Sequence, residues 1–353
     1  MNPQFDIHTF RPDAVDDIAQ FLGSEYPQGE IADVKYLEWE YLNNPSGKAI
    51  VTTARKDKKI TSQYALLPVQ VHHQGKILSG TLSLNTLTGK EYRGKGLFKT
   101  TALDAFGYCA RNGFILTYGV PNKSSFPGFV KYLKFSHTGN LVFMGKMLRP
   151  SNVFTSFISR NKSKKGEAIR FDLDYALLNK YPVTRLNFPA DENRYKDFLN
   201  RWSSGDLYSI HRSPDYLSWR YFQNPLREYQ LFKLNVNGAI KAIVVIRSMH
   251  LYGMRVCLIM DLLSNDESSS LQLLDAVSVQ AKKNQLDLII AVAASKKGIQ
   301  FNHFKASGFR SVPDFLLPQQ LPFIIRMHQD DENISSLSDL NNWHFSFGDY
   351  DVF

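Results

Sequence analysis

The sequence contains one ten-residue pattern twice, about half a chain apart. YLEWEYLNNP spans residues 36–45, and YLSWRYFQNP spans residues 216–225. The two copies share Tyr, Leu, Trp, Tyr, Asn and Pro, although the chain has only four Trp. Coincidence of so rare a residue in matching contexts indicates internal duplication, which constrains the fold more than any other feature of the sequence.

The predicted elements around the two copies follow the same order. Strand-like runs at 49–56 and 60–88 follow the first copy, and Gln74-Gly75 forms a hairpin turn inside the second run. A helix, a strand, a short helix and a final strand over 135–148 complete the unit, and the second half repeats this order. The pattern predicts a tandem α/β (α+β) protein with domains at 1–150 and 181–353, joined by a linker region at 151–180.

Composition restricts the class of protein. A chain of 353 residues is long enough for two domains, and its two cysteines lie far apart, so a disulfide framework is excluded. We find no signal-peptide pattern and no apolar run of membrane-spanning length, and we expect a cytoplasmic protein with no membrane partner. The net charge of +9 favours anionic ligands. The basic run at 159–167 lacks interleaved aromatic residues, so we interpret it as a linker and expect no nucleic acid partner.

The repeated pattern itself predicts a helix with one aromatic face. Tyr36, Trp39 and either Glu40 or Tyr41 fall on adjacent turns, and Asn-Pro ends the helix. We interpret this face as packing against the core, rather than as a ligand site, because both copies keep it while other features diverge.

A glycine-containing loop is present in the first half only. In YRGKGLFK, Gly94 and Gly96 permit a tight turn before a helix, whose free amides and dipole favour an anion. Arg93, Lys95 and Lys99 add positive charge. The corresponding segment of the second half, SNDESSSLQLL, has no glycine and places Asp266 and Glu267 at the helix start. A diphosphate is therefore expected to bind only in the first half.

RGKGLF between a strand and a helix resembles the acyl-CoA pyrophosphate loop of the GCN5-related N-acetyltransferase superfamily. The family pattern falls on Arg93, Gly96 and Phe98, and Phe98 departs from it because a small residue is usual there. The resemblance implies two GNAT-like domains, each a mixed, mostly antiparallel twisted sheet flanked by helices. It also implies acyl-CoA as donor and no metal. The implied cofactor-binding residues are Thr86, Thr88, Arg93, Gly94, Lys95, Gly96, Leu97, Phe98 and Asn122, the last of which has a helix cap as its alternative role.

The sequence gives less direct evidence for the catalytic residues. The position at which many family members carry a tyrosine acid holds Val130, and the neighbouring Tyr132 does not replace it. The hairpin register pairs Tyr64 with Asn85 near the expected acyl group, so we predict these two as catalytic residues. His72 and His73 lie at the far end of the hairpin and are interpreted as surface residues.

The resemblance narrows further to tandem N-acyltransferases of bacterial surface-polysaccharide pathways. These imply a nucleotide-linked amino sugar as acceptor, such as a dTDP-3-amino-3,6-dideoxyhexose, and an acetyl or short hydroxyacyl group such as 3-hydroxybutyryl. Glu25 and Glu30 precede the first aromatic helix, where the superfamily often contacts its acceptor; solvated loop charge is the alternative. His211 and Arg212, before the second aromatic helix, are predicted to contact the nucleotide diphosphate.

Two other functions remain open at this point. One is an aminoacyl-tRNA-dependent transferase of the peptidoglycan-branching type, and the other is a non-enzymatic module that binds acyl-CoA. The sequence also leaves the oligomeric state open, with a homodimer as one option.

Overall fold

The structure, a computed structural model, describes residues 5–9, 14–27, 29–159, 166–173, 180–202, 206–317, 319–329 and 336–350. The chain forms two compact units, each assembled from separate stretches of sequence. The first comprises Met1–Gly139, Gln223–Leu226 and Leu321–Asp339, and the second Asn140–Phe222, Arg227–Gln320 and Leu340–Phe353.

The second half of the chain largely repeats the order of strands and helices of the first, as the sequence predicts. The strands are β1 Asp6–Thr9, β2 Ile50–Lys56, β3 Lys59–His73, β4 Lys76–Thr88, β5 Leu116–Gly119, β6 Ser136–Asn140, β7 Val142–Met147, β8 Val183–Arg185, β9 Ser209–Ile210, β10 Gln230–Val236, β11 Ala239–Leu251, β12 Met254–Ser264, β13 Leu288–Ala293, β14 Arg310–Ser311 and β15 Pro322–Met327. The α-helices are α1 Val15–Glu25, α2 Val34–Leu42, α3 Leu97–Arg111, α4 Phe126–Leu133, α5 Pro150–Ser159, α6 Glu192–Arg201, α7 Pro214–Leu217, α8 Glu267–Lys283 and α9 Ile299–Ala306.

Each unit is built on one mixed sheet, and the two sheets have the same strand order. The first runs β1-β2-β3-β4-β5-β15-β6, and the second runs β8-β10-β11-β12-β13-β7-β14. In both, the long hairpin is antiparallel and its second strand pairs in parallel with the strand that follows a helix. The predicted fold class, two mixed α/β domains with helices beside each sheet, is confirmed.

The matching orders reveal that the two halves exchange a strand. β15, from the end of the chain, pairs antiparallel with β5 in the first sheet. β7, from the first half, pairs antiparallel with β13 in the second sheet. The run 135–148, predicted as one strand that closes the first unit, is therefore divided between β6 and β7.

This exchange moves the unit boundaries away from the predicted positions at 150 and 181. The first stretch of the first unit ends at Gly139. Leu321–Asp339 also belongs to this unit, because its strand β15 is hydrogen-bonded to β5. The predicted linker region 151–180 contains most of α5 and belongs to the second unit. Within it, residues 160–165 and 174–179 lie outside the described residues, and with them most of the basic run.

The repeated aromatic helices have the same role in both units. Asp33 caps α2 by accepting a hydrogen bond from the Tyr36 amide at 2.9 Å, and Ser213 caps α7 through the Tyr216 amide at 3.1 Å. The second helix continues as a π-helical turn over Ser218–Phe222. The prediction that this face packs against the core is confirmed, since all six aromatic residues are buried. They are Tyr36, Trp39, Tyr41, Tyr216, Trp219 and Tyr221.

Among the described residues, no helix combines the length and apolar character needed to cross a membrane. In the same part of the chain, we find no group of three or more His, Cys, Asp or Glu side chains arranged to hold a metal ion. Cys109 and Cys257 are both free and buried.

Candidate functional site

The long hairpin of the first unit carries a β-bulge near its open end. Its pairing from His73↔Lys76 to Ala65↔Leu84 follows the register predicted from the Gln74-Gly75 turn. The register then slips, so that Gln63 pairs with Leu87. Asn85 and Thr86 form the bulge opposite Tyr64, and Asn85 has a φ of 46°. Asn tolerates this left-handed conformation better than most residues, which explains why the sequence accommodates the bulge here.

The Asn85 side chain is held by the first aromatic helix. Its Nδ2 donates to Glu40 Oε2 at 2.7 Å and to Tyr41 Oη at 3.1 Å. The backbone of the same residue is fixed from β3, where Gln63 Nε2 donates to the Asn85 carbonyl at 2.8 Å. The last two letters of YLEWEY therefore meet the bulge directly. The sequence analysis gives Glu40 no role in the site, although a carboxylate on the core-facing side of a helix is a signal for one.

Tyr64 lies in the aromatic core of the first unit. Its side chain is fully buried and its ring centroid is 5.3 Å from that of Phe106. The hydroxyl accepts a hydrogen bond from Ser83 Oγ at 3.0 Å, rather than bonding to Asn85. Burial raises the pKa of this hydroxyl far above its usual value, so it stays protonated. The structure thus brings Asn85, but not the Tyr64 hydroxyl, into the polar cluster at the bulge.

The glycine-containing loop connects β4 to α3 through a 3-10 turn at Lys90–Tyr92. Gly94 and Gly96 both have a φ of 78°, and a Cβ added at either would meet no atom within 4 Å. Gly96 is the N-cap of α3 and no side chain caps this helix end. The amides of the first helical turn have no intrahelical acceptor, so they face the open space above the glycines. This arrangement suits an anion.

Positive side chains surround the same loop. Arg93, Lys95 and Lys99 are exposed, and Arg93 Nε donates to the Thr88 carbonyl at 3.3 Å. Glu25, at the end of α1, is ion-paired with this loop: its Oε2 is 3.7 Å from both Lys90 Nζ and Arg93 Nη2. Glu25 was expected at the acceptor. In the structure its carboxylate lies against the predicted pyrophosphate loop.

Phe98 does not obstruct the loop. Its ring points back into the core, with its centroid 5.6 Å from that of Phe129 and 6.2 Å from that of Tyr64. Leu97 is buried beside it at the start of α3. The core therefore accommodates the large Phe98 side chain that departs from the family pattern, and the backbone of the loop stays accessible.

Thr86, Thr88 and Asn122 are the remaining predicted cofactor contacts. Thr86 is half-buried in the bulge, and the Thr88 hydroxyl is 2.8 Å from Ser62 Oγ. Asn122 Oδ1 accepts hydrogen bonds from the amides of Ser124 and Ser125, both at 3.0 Å. Asn122 is thus a cap of the turn before α4, the alternative role left open by the sequence. Glu30 begins the 3-10 turn Glu30–Ala32 before α2.

The second unit has a different helix start at the corresponding place. Asp266 is the N-cap of α8, and its carboxylate accepts from Ser269 N at 2.7 Å and from Ser269 Oγ at 2.8 Å. The prediction that an acidic cap replaces the glycine loop is confirmed. This carboxylate satisfies one amide of the helix start, whereas no side chain does so in the first unit.

Arg212 is placed differently from the prediction that it meets a diphosphate. It is fully buried, and its guanidinium contacts Asp261 at 3.0 Å and Asp349 at 2.6 Å. Two carboxylates in a low-dielectric environment already neutralise its charge, so Arg212 supports the second unit's core instead of a surface ligand. The adjacent His211 is half-buried.

In the second unit the aromatic helix also contacts a bulge, but the charged residues there are different. β11 and β12 slip register between Val245 and Ile246, directly before Asp261. Tyr221, the counterpart of Tyr41, donates to Asp261 Oδ2 at 3.3 Å. Arg220 occupies the position of Glu40 in the repeat and donates to the Tyr350 carbonyl at 2.9 Å. The repeat therefore conserves the tyrosine contact and reverses the charge beside it.

Comparison with solved structures identifies the fold. A probable N-acyltransferase from Enterococcus faecalis superimposes with a TM-score of 0.63 at 14% identity, covering 92% of this chain and 72% of that protein. A GCN5-related N-acetyltransferase from Anabaena variabilis gives 0.60 at 11% identity, covering 92% and 73%. N-myristoyltransferase of Saccharomyces cerevisiae, with bound myristoyl-CoA, gives 0.59 at 10% identity, covering 98% and 84%.

No protein-family model and no curated protein matches the sequence. The likeness therefore lies in the fold alone. With its two mixed sheets, bulged hairpin and glycine loop before a helix, the chain has the fold of the GCN5-related N-acetyltransferases.

Proposed function

We propose that the protein is an acyl-CoA-dependent N-acyltransferase whose first unit binds the acyl donor. One observation carries this proposal: the bulge, the glycine loop and the uncapped helix start occur together in the first unit, whereas Asp266 caps the corresponding helix in the second. Yeast N-myristoyltransferase, which has the same fold, binds myristoyl-CoA, and this supports the same class of donor here.

The residues of the first unit suit the parts of acyl-CoA. The amides and cations from Arg93 to Phe98 would hold the pyrophosphate, because the loop offers unsatisfied N–H groups and open space. Backbone groups of Thr86 and Thr88 would bind the pantetheine from β4, and Asn122 would approach it from the other side. A bulge in this strand leaves backbone amides without strand partners, and such amides can polarise a thioester carbonyl.

The reaction follows from these positions. The lone pair of a neutral amine attacks the thioester carbon, and the C–N bond forms as the carbonyl π electrons move to oxygen. Collapse of this tetrahedral species breaks the C–S bond and releases the thiolate of CoA. The nitrogen loses one proton and the thiolate gains one, so the products are an amide and CoA with a free thiol.

For the acceptor, we propose a nucleotide-linked amino sugar, specifically a dTDP-3-amino-3,6-dideoxyhexose used in surface-polysaccharide synthesis. The support is the resemblance of the tandem plan to such enzymes and the net charge of +9, which favours two anionic ligands. An acetyl or short hydroxyacyl group, such as 3-hydroxybutyryl, is the proposed donor group. Glu30 and His211 remain proposed contacts of the acceptor.

The test measures thiol release from a panel of acyl-CoAs with dTDP-amino sugars, with the product mass as a second readout. We expect thiol release to depend on both substrates and the sugar to gain the acyl mass. Transfer that requires aminoacyl-tRNA would favour the peptidoglycan-branching alternative. Tight binding of acyl-CoA without transfer to any amine would indicate a non-enzymatic binding module and contradict the proposal.

A further inference from the structure

We propose that Asn85 binds the amino group of the acceptor through its side-chain oxygen, and that Glu40 is the positioning residue that makes this possible. The proposal rests on the function proposed above and names the subsite for the nucleophile. It depends on the hydrogen bonds around the bulge, on the burial of Glu40 and on a comparison of the two repeats.

The hydrogen bonds determine which way the Asn85 amide faces. Glu40 Oε2 accepts the hydrogen bond at 2.7 Å, so the group that faces it is the Asn85 NH₂. Its two hydrogens are accounted for by Glu40 and Tyr41 Oη. The opposite side of the amide is then Oδ1, which accepts no hydrogen bond from any described residue. A fixed carbonyl oxygen beside the bulge can accept an N–H from an amine.

The backbone of the bulge is fixed as firmly as its side chain. Gln63 is fully buried and its Nε2 donates to the Asn85 carbonyl, which holds the residue at a φ of 46°. Asn85 therefore has little freedom to turn its amide over. A preorganised acceptor of this kind costs little reorganisation when the substrate arrives.

The burial of Glu40 strengthens its effect on the Asn85 amide. Its side chain is 1% exposed, so its carboxylate lies in an environment where electrostatic effects are stronger than in water. In its ionised form, a carboxylate hydrogen-bonded to the amide nitrogen polarises the amide and makes Oδ1 a better acceptor.

A comparison of the two repeats distinguishes the proposed role of Glu40 from a purely structural role. The tyrosine contact with the bulge is present in both units, as Tyr41 with Asn85 and Tyr221 with Asp261. At the repeat position of Glu40 itself, however, the second unit has Arg220, which is also buried. A role in holding the helix alone would not require opposite charges at this position.

The experiment compares Glu40→Gln with Glu38→Gln, which removes the same charge from an exposed position on the same helix. Each variant is measured for the Kd of acetyl-CoA, for slow hydrolysis of acetyl-CoA by water, and for amine-dependent thiol release. The acceptor is the best amine found in the panel of dTDP-amino sugars. We expect Glu40→Gln to lower the amine-dependent kcat/KM by about 10-fold or more, with the Kd and the hydrolysis rate within about twofold of the parent. Glu38→Gln should leave all three unchanged.

A second variant covers the case in which Glu40→Gln does not fold. Asn85→Gly keeps the positive φ and removes the amide, and it should cause the same selective loss of amine transfer. If Glu40 acts through Asn85, the double variant should transfer no more slowly than Asn85→Gly alone.

Unchanged amine transfer in Glu40→Gln, or equal losses of amine transfer, hydrolysis and acetyl-CoA binding, would overturn the proposal while leaving the N-acyltransferase function intact. Additive losses in the double variant would also overturn it. Failure of every amine to accelerate thiol release by the parent protein would instead contradict the proposed function itself.

Discussion

Gly96 provides the sharpest test of the proposed acyl-CoA site, because the same helix offers a matched control. Gly96 precedes α3 and Gly113 follows it, and both have a φ of 78°. A Cβ added at either position would meet no atom within 4 Å. Gly96→Ala and Gly113→Ala therefore impose the same backbone strain on the protein at opposite ends of one helix.

The expected magnitudes differ between stability and binding. An alanine at positive φ lowers the free energy of unfolding by roughly 1 kcal/mol, and this should be equal for the two variants. At Gly96 the new methyl group also occupies the space proposed for the pyrophosphate. Loss of one or two hydrogen bonds to a charged oxygen costs about 3 kcal/mol, which corresponds to about a 100-fold increase in the Kd of CoA.

Titration calorimetry with acetyl-CoA measures the affinity, and urea unfolding of the same samples measures the stability. We expect Gly113→Ala to bind acetyl-CoA within about twofold of the parent protein, since the dipole favours anions only at the other helix end. Equal affinities for Gly96→Ala and Gly113→Ala, with equal stabilities, would refute the placement of the pyrophosphate on this loop.

Three further predictions concern the second unit and the chain as a whole. Calorimetry should give one acetyl-CoA per chain, because the Asp266 carboxylate caps the corresponding helix of the second unit and repels an anion there; two equivalent sites would contradict this. Arg212→Ala should lower the free energy of unfolding by about 3–5 kcal/mol, since it leaves the buried Asp261 and Asp349 without their cation, while the Kd of acetyl-CoA stays unchanged. Burial and the nearby Arg212 lower the pKa of His344 from 6.5 to about 4, so the folded state keeps it neutral while the unfolded state takes up a proton. Stability should therefore fall as the pH drops from about 6.5 towards 4, by up to about 3 kcal/mol from this group, and urea unfolding of His344→Gln should show a flatter profile over that range.

The sequence by itself determined the features that depend on neighbouring residues. The repeated ten-residue pattern predicts the duplication. The turn residues predict the Gln74-Gly75 hairpin and its register as far as the bulge. They also predicted the contrast between Gly96 and the Asp266 cap, because a helix start is decided within a few residues. The aromatic face of the repeat was correctly predicted as core for the same reason: helical spacing brings those side chains together whatever lies opposite them.

Only the tertiary structure decided which distant segments meet. The exchange of β7 and β15 follows from hydrogen bonding to β13 and β5, and no local signal specifies a strand's partner in another part of the chain. Arg212 looks from the sequence like an exposed cation near a helix start, but Asp261 and Asp349 enclose it from far along the chain. Glu40 and Asn85 likewise come together because a helix packs against the bulge of a hairpin. The chemistry proposed for the site depends on that contact, whose geometry is set by packing rather than by spacing in the sequence.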